Sequence, residues 1–191
     1  MINYTTRLDS AIRKAAWAHE QAAQHRKGTD IPYIIHPFGV MMIASNVTDD
    51  EDVLIACLMH DVLEDVDSAI YSESNMRAEF GDRVVAIVKD VTKDATERNW
   101  HASANSYLRH LEHNASDEAV IVSAADKAHN LISILADYDV VGESLWLRFS
   151  TKSSADQLWW YESILKVVVK RNGPQVLVDE LSGYVDTLKA L

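Results

Sequence analysis

Glycine and proline are scarce in this chain, with 6 and 3 among 191 residues. That leaves few of the turns on which a protein of many short strands depends. Cysteine occurs once, at Cys57 inside the apolar run Val53 to Met59. A lone thiol excludes an internal disulfide framework, suits a reducing compartment, and reads as a small buried hydrophobe. No apolar run approaches the roughly 20 residues that cross a bilayer. The first residues, MINYTTRLDSAIRK, lack the basic start and apolar centre of a secretory signal. A cytoplasmic location with no membrane partner is therefore expected. Basic residues are outnumbered, 18 Lys and Arg against 29 Asp and Glu, for a net charge of −11. A general nucleic-acid binder needs clustered cations, so that class is set aside. A small phosphorylated ligand held by a few basic side chains is not excluded.

What the chain does have is 48% hydrophobic residues, mostly repeating at spacings of three and four. This length suits one domain with a full core, and the periodicity reads as all-α. Helices are expected over 6–25, 37–46, 51–63, 73–80, 82–92, 103–114, 117–138, 155–171 and 174–190. Gly28, Gly81 and Gly173 are placed as helix C-caps. Asp49, Asp50 and Glu51 put negative charge where the third helix begins. The loosest stretches are 27–35, 93–106 and 140–154. Trp159 and Trp160 cannot both face inward on one side of their helix, which leaves one for a pocket, an interface or packing elsewhere.

Chemistry concentrates in a few places. LMHDVLED, residues 58–65, continues the apolar run and then sets one imidazole and three carboxylates within six residues. At helical spacing His60 pairs with Glu64 and Asp61 with Asp65 on adjacent faces. Buried together, such charges repel and lose hydration, and a cation relieves both. Imidazole and carboxylate without thiolate suit manganese, iron, magnesium or zinc in an open site. In EAVIVSAADKAHNLISILADY, Ser123, Asp126, Asn130, Ser133 and Asp137 form a polar stripe on an otherwise apolar helix. A solvated face is the plain explanation, but the apolar surroundings leave little room for one. His36, before Pro37, and the pair Arg26-Lys27 complete the set; alone, each has an ordinary surface explanation.

In order, His36, His60-Asp61 and Asp126 resemble the H…HD…D pattern of the HD superfamily of metal-dependent phosphohydrolases. HRKGTDIPYIIHPFGV, ACLMHDVLEDV, EFGDRVVAIVKDVTKD and SAADKAHNL further resemble successive motifs of the hydrolase domain of RelA/SpoT homologues. The resemblance covers roughly residues 8–170 and implies a single HD-fold helical bundle of about 8–10 helices, with the helix over 174–190 packed on it. With no room for a synthetase domain, residues 1–191 are expected to form one stand-alone small alarmone hydrolase. The implied activity is Mn2+-dependent hydrolysis of ppGpp and pppGpp to GDP or GTP and pyrophosphate, in stringent-response signalling. The resemblance makes His36, His60, Asp61 and Asp126 ligands of one Mn2+ ion, other divalent metals being possible. It assigns Glu64 and Asp65 to orienting and deprotonating the attacking water, Arg26 and Lys27 to the guanine base, and Asn130 to the nucleoside. The chemistry is self-consistent, since a divalent ion lowers the pKa of water and a carboxylate within reach takes its proton.

One stretch departs from the pattern. Where such hydrolases carry a basic cluster near a tryptophan, ATERNWHASANSY keeps Arg98 and Trp100 and then runs to His, Ser, Ala and Asn. Lys93, Arg98, His101, Arg109 and Lys152 are the remaining candidates for phosphate contacts. Two alternatives stay open: an HD phosphohydrolase acting on another 3′- or 2′-phosphorylated nucleotide such as NADPH, and a catalytically silent nucleotide-binding regulator. A monomer and a homodimer are both compatible with the sequence.

Overall fold

In a computed structural model, residues 3–94 and 96–191 are described. Among them there is no strand, only an isolated bridge between His25 and Pro32. The helices are α1 (Thr6–Gln21), α2 (Ile35–Ala44), α3 (Glu51–Met59), α4 (Val62–Asp65), α5 (Glu73–Phe80), α6 (Asp82–Val91), α7 (Trp100–His113), α8 (Asp117–Val141), α9 (Ser154–Lys170) and α10 (Gln175–Lys189), with a 3-10 segment over Gly142–Arg148. The all-α expectation holds. A short polar side chain before each of several helices supplies the missing acceptor: Thr5 takes Leu8 N–H, Ser116 takes Ala119 N–H and Ser153 takes Asp156 N–H. Ser72 and Asn75 form a reciprocal capping box at α5.

Several boundaries differ from the sequence reading. α1 stops at Gln21 instead of residue 25, because Ala23 turns left-handed at φ 50°. The chain after it closes a loop through Arg26 N–H to Ile31 O and Tyr33 N–H to Gln24 O. Gly28 lies in that loop at φ 74° and is not a helix cap. α2 begins at Ile35, so Pro37 falls in its first turn, where its missing N–H costs no bond. The expected helix over 51–63 is two pieces, α3 and α4, interrupted at His60-Asp61. α7 starts three residues early, at Trp100, and the link expected over 140–154 contains the last residues of α8 and the 3-10 segment.

α8 runs through the middle of the bundle and packs on α2, α3, α6, α9, α10 and the 3-10 segment. α10 lies against α8 and α9. α3 is buried along its whole apolar run from Val53 to Met59, Cys57 included. The segment Asp117–Arg148 is long and apolar enough to cross a bilayer, which the sequence reading did not anticipate; 61% of its apolar window is buried inside the protein, so it is a core helix. Of the two adjacent tryptophans, Trp160 is buried, while Trp159 is half-buried and meets Trp100 edge-on at 5.8 Å.

The depth of α8 makes a stability prediction. Leu131 is fully buried on it, and Leu131→Ala should cost about 2–5 kcal/mol in urea unfolding. Val140→Ala, at a position 83% exposed, should change stability by less than about 0.5 kcal/mol.

Candidate metal centre

Three elements bring the predicted ligands to one point. His36 comes from the first turn of α2, Asp126 from the middle of α8, and His60 and Asp61 from the break between α3 and α4. One ligand atom each from His36, His60 and Asp126 lie within 4.8 Å of one another. His36 Nε2 is 3.2 Å from Asp126 Oδ1 and 3.4 Å from Asp61 Oδ2. His60 Nε2 is 3.1 Å from Asp61 Oδ2 and 3.8 Å from Asp126 Oδ1. The break matters here, because it ends the apolar face of α3 at His60 and turns Asp61 toward the same centre. All four side chains are buried or nearly so.

Hydrogen bonds fix how these groups point. His60 Nδ1–H donates to Cys57 O at 2.8 Å, which leaves Nε2 directed at the centre. That atom is buried and makes no well-aligned hydrogen bond among the described residues, although the Asp61 carboxylate lies 3.1 Å away. Tyr33 Oη–H donates to Asp61 Oδ2 at 2.6 Å, and burial beside carboxylates keeps the phenol protonated, far above its ordinary range. His36 Nδ1 faces His129 Nδ1 at 3.0 Å. Asn130 Nδ2 donates to Asp126 Oδ1 at 2.5 Å and accepts from Arg26 Nη2 at 2.9 Å through its own oxygen. The Lys127 ammonium pairs with Asp126 Oδ2.

Charge compensation dominates the electrostatics. Burial alone favours a neutral Asp126, but Lys127 and the two imidazoles hold it far below the usual carboxylate range. Asp61 is depressed in the same way, burial being outweighed by His60 and His36. Burial alone would strip His60 of its second proton; Asp61 and Asp126 reverse that and raise it to about 9. Lys127 is likewise kept charged against burial, by Asp126. His129 is lowered to about 4 by burial and by the nearby His36 and Arg26. Asp65 goes the other way: partial loss of hydration, then Asp61 and Glu64, raise it to about 6.

These donors fit a divalent cation. Ligands about 2.1 Å from one ion and at right angles stand roughly 3 Å apart, close to the separations here, and His60 Nε2, once it gives up its proton, has a lone pair to offer. Two imidazoles and two carboxylates without thiolate belong to the hard and borderline metals.

The centre forms one wall of a cavity of about 850 Å³. Arg26, Lys27, Asn130, Glu64, Asp65 and Lys93 all line it. Glu64 accepts Lys93 N–H at 3.1 Å, and the Lys93 ammonium sits 5.4 Å over the Trp160 ring. Of the polar stripe on α8, Asp126, Asn130, Ser133 and Asp137 line the cavity, while Ser123 is buried and accepts from Tyr107 Oη at 2.8 Å. Arg98, His101, Arg109 and Lys152 are exposed and lie outside the cavity lining. For Arg109 the cause is helical phase: Ala104, Tyr107, Leu108 and Leu111 take the inner face of α7. Lys152 sits in a left-handed turn at φ 52°, and Arg98 precedes α7 on an exposed loop.

Sequence reasoning missed Tyr33, Lys127, His129, Gln157 and Arg148, all of which line the cavity. Tyr33 lies within HRKGTDIPYIIHPFGV, and Lys127 and His129 lie within SAADKAHNL, so their motifs were visible though their roles were not. Arg148 donates to Asp137 Oδ2 at 2.6 Å, and its side chain occupies the space a Cβ on Gly28 would need.

Comparison with known proteins follows from this geometry. Residues 13–141 match the family model described as HD domain. A guanosine-3′,5′-bis(diphosphate) 3′-pyrophosphohydrolase of Aquifex aeolicus is 32% identical over 130 residues, 68% of this chain and 18% of that protein. The chain spans only 15–18% of the length of this and two other long relatives, from Synechocystis and Streptomyces coelicolor. The Danio rerio protein named guanosine-3′,5′-bis(diphosphate) 3′-pyrophosphohydrolase MESH1 is 33% identical over 129 residues, 66% of this chain and 68% of that one. A solved metazoan orthologue of SpoT, described as hydrolysing ppGpp, superposes with a TM-score of 0.79 over 100% of both chains at 23% identity. A Listeria monocytogenes structure gives 0.69 over 82% of this chain and 99% of that one at 24% identity. Both share the fold.

The proton on His60 makes metal binding pH-dependent. A group raised to about 9 is protonated at neutral pH, and an ion bound at Nε2 must displace that proton. Apparent affinity should therefore strengthen by about tenfold per pH unit as the pH rises toward 9. Calorimetry in buffers of different ionisation enthalpy should show about one proton released per ion at pH 7; no release would contradict the assignment.

Proposed function

The chain belongs to the HD domain family, and on that premise we propose that it hydrolyses guanosine 3′-diphosphate alarmones, ppGpp and pppGpp, to GDP or GTP and pyrophosphate. The carrying observation is the convergence of His36, His60, Asp61 and Asp126 at one point, with His36, Asp61 and Asp126 on the wall of a cavity that also presents a paired acid, Glu64-Asp65, and the basic side chains Arg26, Lys27 and Lys93. The names of the relatives supply the substrate class. The reading extends to one Mn2+ ion at the four ligands, to residues 1–191 acting as one domain, and to a cytoplasmic role in stringent-response signalling.

Bound there, the ion supplies Lewis-acid polarisation and offsets negative charge on the phosphate. The rest falls to the chain. Asp65 takes the proton of the attacking water, whose oxygen bonds to the phosphorus at the ribose 3′ oxygen; the P–O3′ bond breaks, O3′ departs with the electron pair and takes a proton from solvent to become the 3′-hydroxyl of GDP or GTP, and the phosphorus leaves as pyrophosphate. Asp65 is assigned as the base: raised to about 6, it is ionised at neutral pH and still takes up a proton readily. Glu64, tied to the Lys93 amide, orients the water. Lys93 compensates phosphate charge from the cavity wall, and Arg26, with Lys27 beside it, offers its planar guanidinium to the face of the guanine. Asn130 stands between Arg26 and Asp126 and holds the nucleoside end in register with the reacting end.

Purified protein with Mn2+ and ppGpp should release GDP and pyrophosphate, and His60→Ala and Asp61→Ala should abolish turnover. Equal turnover by those variants would sink the reading. Faster turnover of NADPH than of ppGpp would move it to another phosphorylated nucleotide, and tight ppGpp binding without turnover would make the chain a regulator.

The choice of base gives a second prediction. The base must be ionised, so kcat/KM should fall by about tenfold per pH unit below about pH 6 and level off above it. Asp65→Asn should lower kcat by about 10²–10⁴ and remove this acid limb. Glu64→Gln should keep the limb.

A further inference from the structure

Gly39 sits inside α2 without a positive φ, so its backbone does not ask for glycine. Glycine in a helix interior destabilises it relative to alanine, and something else must account for its place. A Cβ on Gly39 would fall 2.1 Å from Cδ2 and 2.3 Å from Nε2 of His129. The missing side chain is the space that the imidazole occupies.

His129 stands three residues after Asp126 on α8, with its ring centroid 5.0 Å from that of His36 and the two Nδ1 atoms 3.0 Å apart. For His36 to present the Nε2 lone pair to a cation, its remaining proton must be on Nδ1 and must be donated. His60 meets the same need with a backbone carbonyl, that of Cys57. For His36 the acceptor facing Nδ1 is His129 Nδ1.

We infer that His129 is a positioning residue for the metal centre: it accepts the His36 Nδ1–H, fixes that ring's tautomer and orientation, and is admitted to its place by Gly39. This goes beyond the proposed substrate and rests on His36 being a metal ligand. His129 Nδ1 meets the outer nitrogen of a ligand, so it acts through His36 and not on the reacting atoms.

The test is Mn2+ binding by the full chain, titrated calorimetrically without nucleotide at pH 8. Relative to wild type, His129→Ala should weaken binding by about 10–100-fold, and Gly39→Ala should do the same by displacing the ring. His129→Asn, whose amide oxygen can take the place of Nδ1 as acceptor, should recover most of the loss. Melting curves in EDTA report whether each variant folds, and the Asn and Gly39 variants carry the test should His129→Ala fail to do so. His129→Ala binding Mn2+ as tightly as wild type overturns the inference. His129→Asn binding as weakly as His129→Ala assigns the effect to packing and overturns it as well. Absence of Mn2+ binding by the wild type is a different result, removing the metal reading and with it this inference.

Discussion

A carboxylate in the middle of the bundle's central helix must be compensated at once and from several sides, and Asp126 is that carboxylate. An unpaired charge in such a place loses several kcal/mol of hydration. Lys127 on one oxygen, Asn130 on the other and the imidazoles of His36 and His60 nearby supply the compensation. Each of these partners comes from α8 itself or from a segment packed on it, so the arrangement of α2, α3 and α8 and the polarity of the site are one constraint. The apolar run of α3 can be buried to its end only because His60 finds both a carbonyl behind it and carboxylates in front.

The cavity brings both signs of charge together: Asp61, Glu64, Asp65, Asp126 and Asp137 line it with Arg26, Lys27, Lys93, Lys127 and Arg148. A chain of net charge −11 thus matches basic side chains to carboxylates around this cavity, a local balance far less acidic than the whole. That local balance, and not the overall charge, bears on what binds there.

Much of this was legible in the sequence. His36, His60, Asp61 and Asp126 carried an order and spacing that marked them, and the helical period of the apolar residues gave most elements to within a few positions. The interruption at His60-Asp61 was not legible, because the same residues read as an unbroken amphipathic turn; tertiary packing, not propensity, decides where α3 gives way to α4. Lys127 and Tyr33 hid for another reason. A lysine or a tyrosine has an ordinary surface explanation in sequence, and only the approach of α8 and of the loop before α2 buries both beside carboxylates. Arg98, Arg109 and Lys152 show the converse: a basic side chain's destination depends on helical phase and loop path, and these three point to solvent.

The bridge from Arg26 through Asn130 to Asp126 joins the proposed base contact to the proposed metal ligand with two hydrogen bonds. Asn130 has one amide to share between them. A ligand that draws the guanidinium onto itself alters the hydrogen bonding of a carboxylate on the far side, and by thermodynamic reciprocity whatever binds at that carboxylate alters the hold on the guanidinium by the same factor. On the proposed reading, occupancy of the two positions is therefore not independent: a cation and a base, never in contact, would share one free energy.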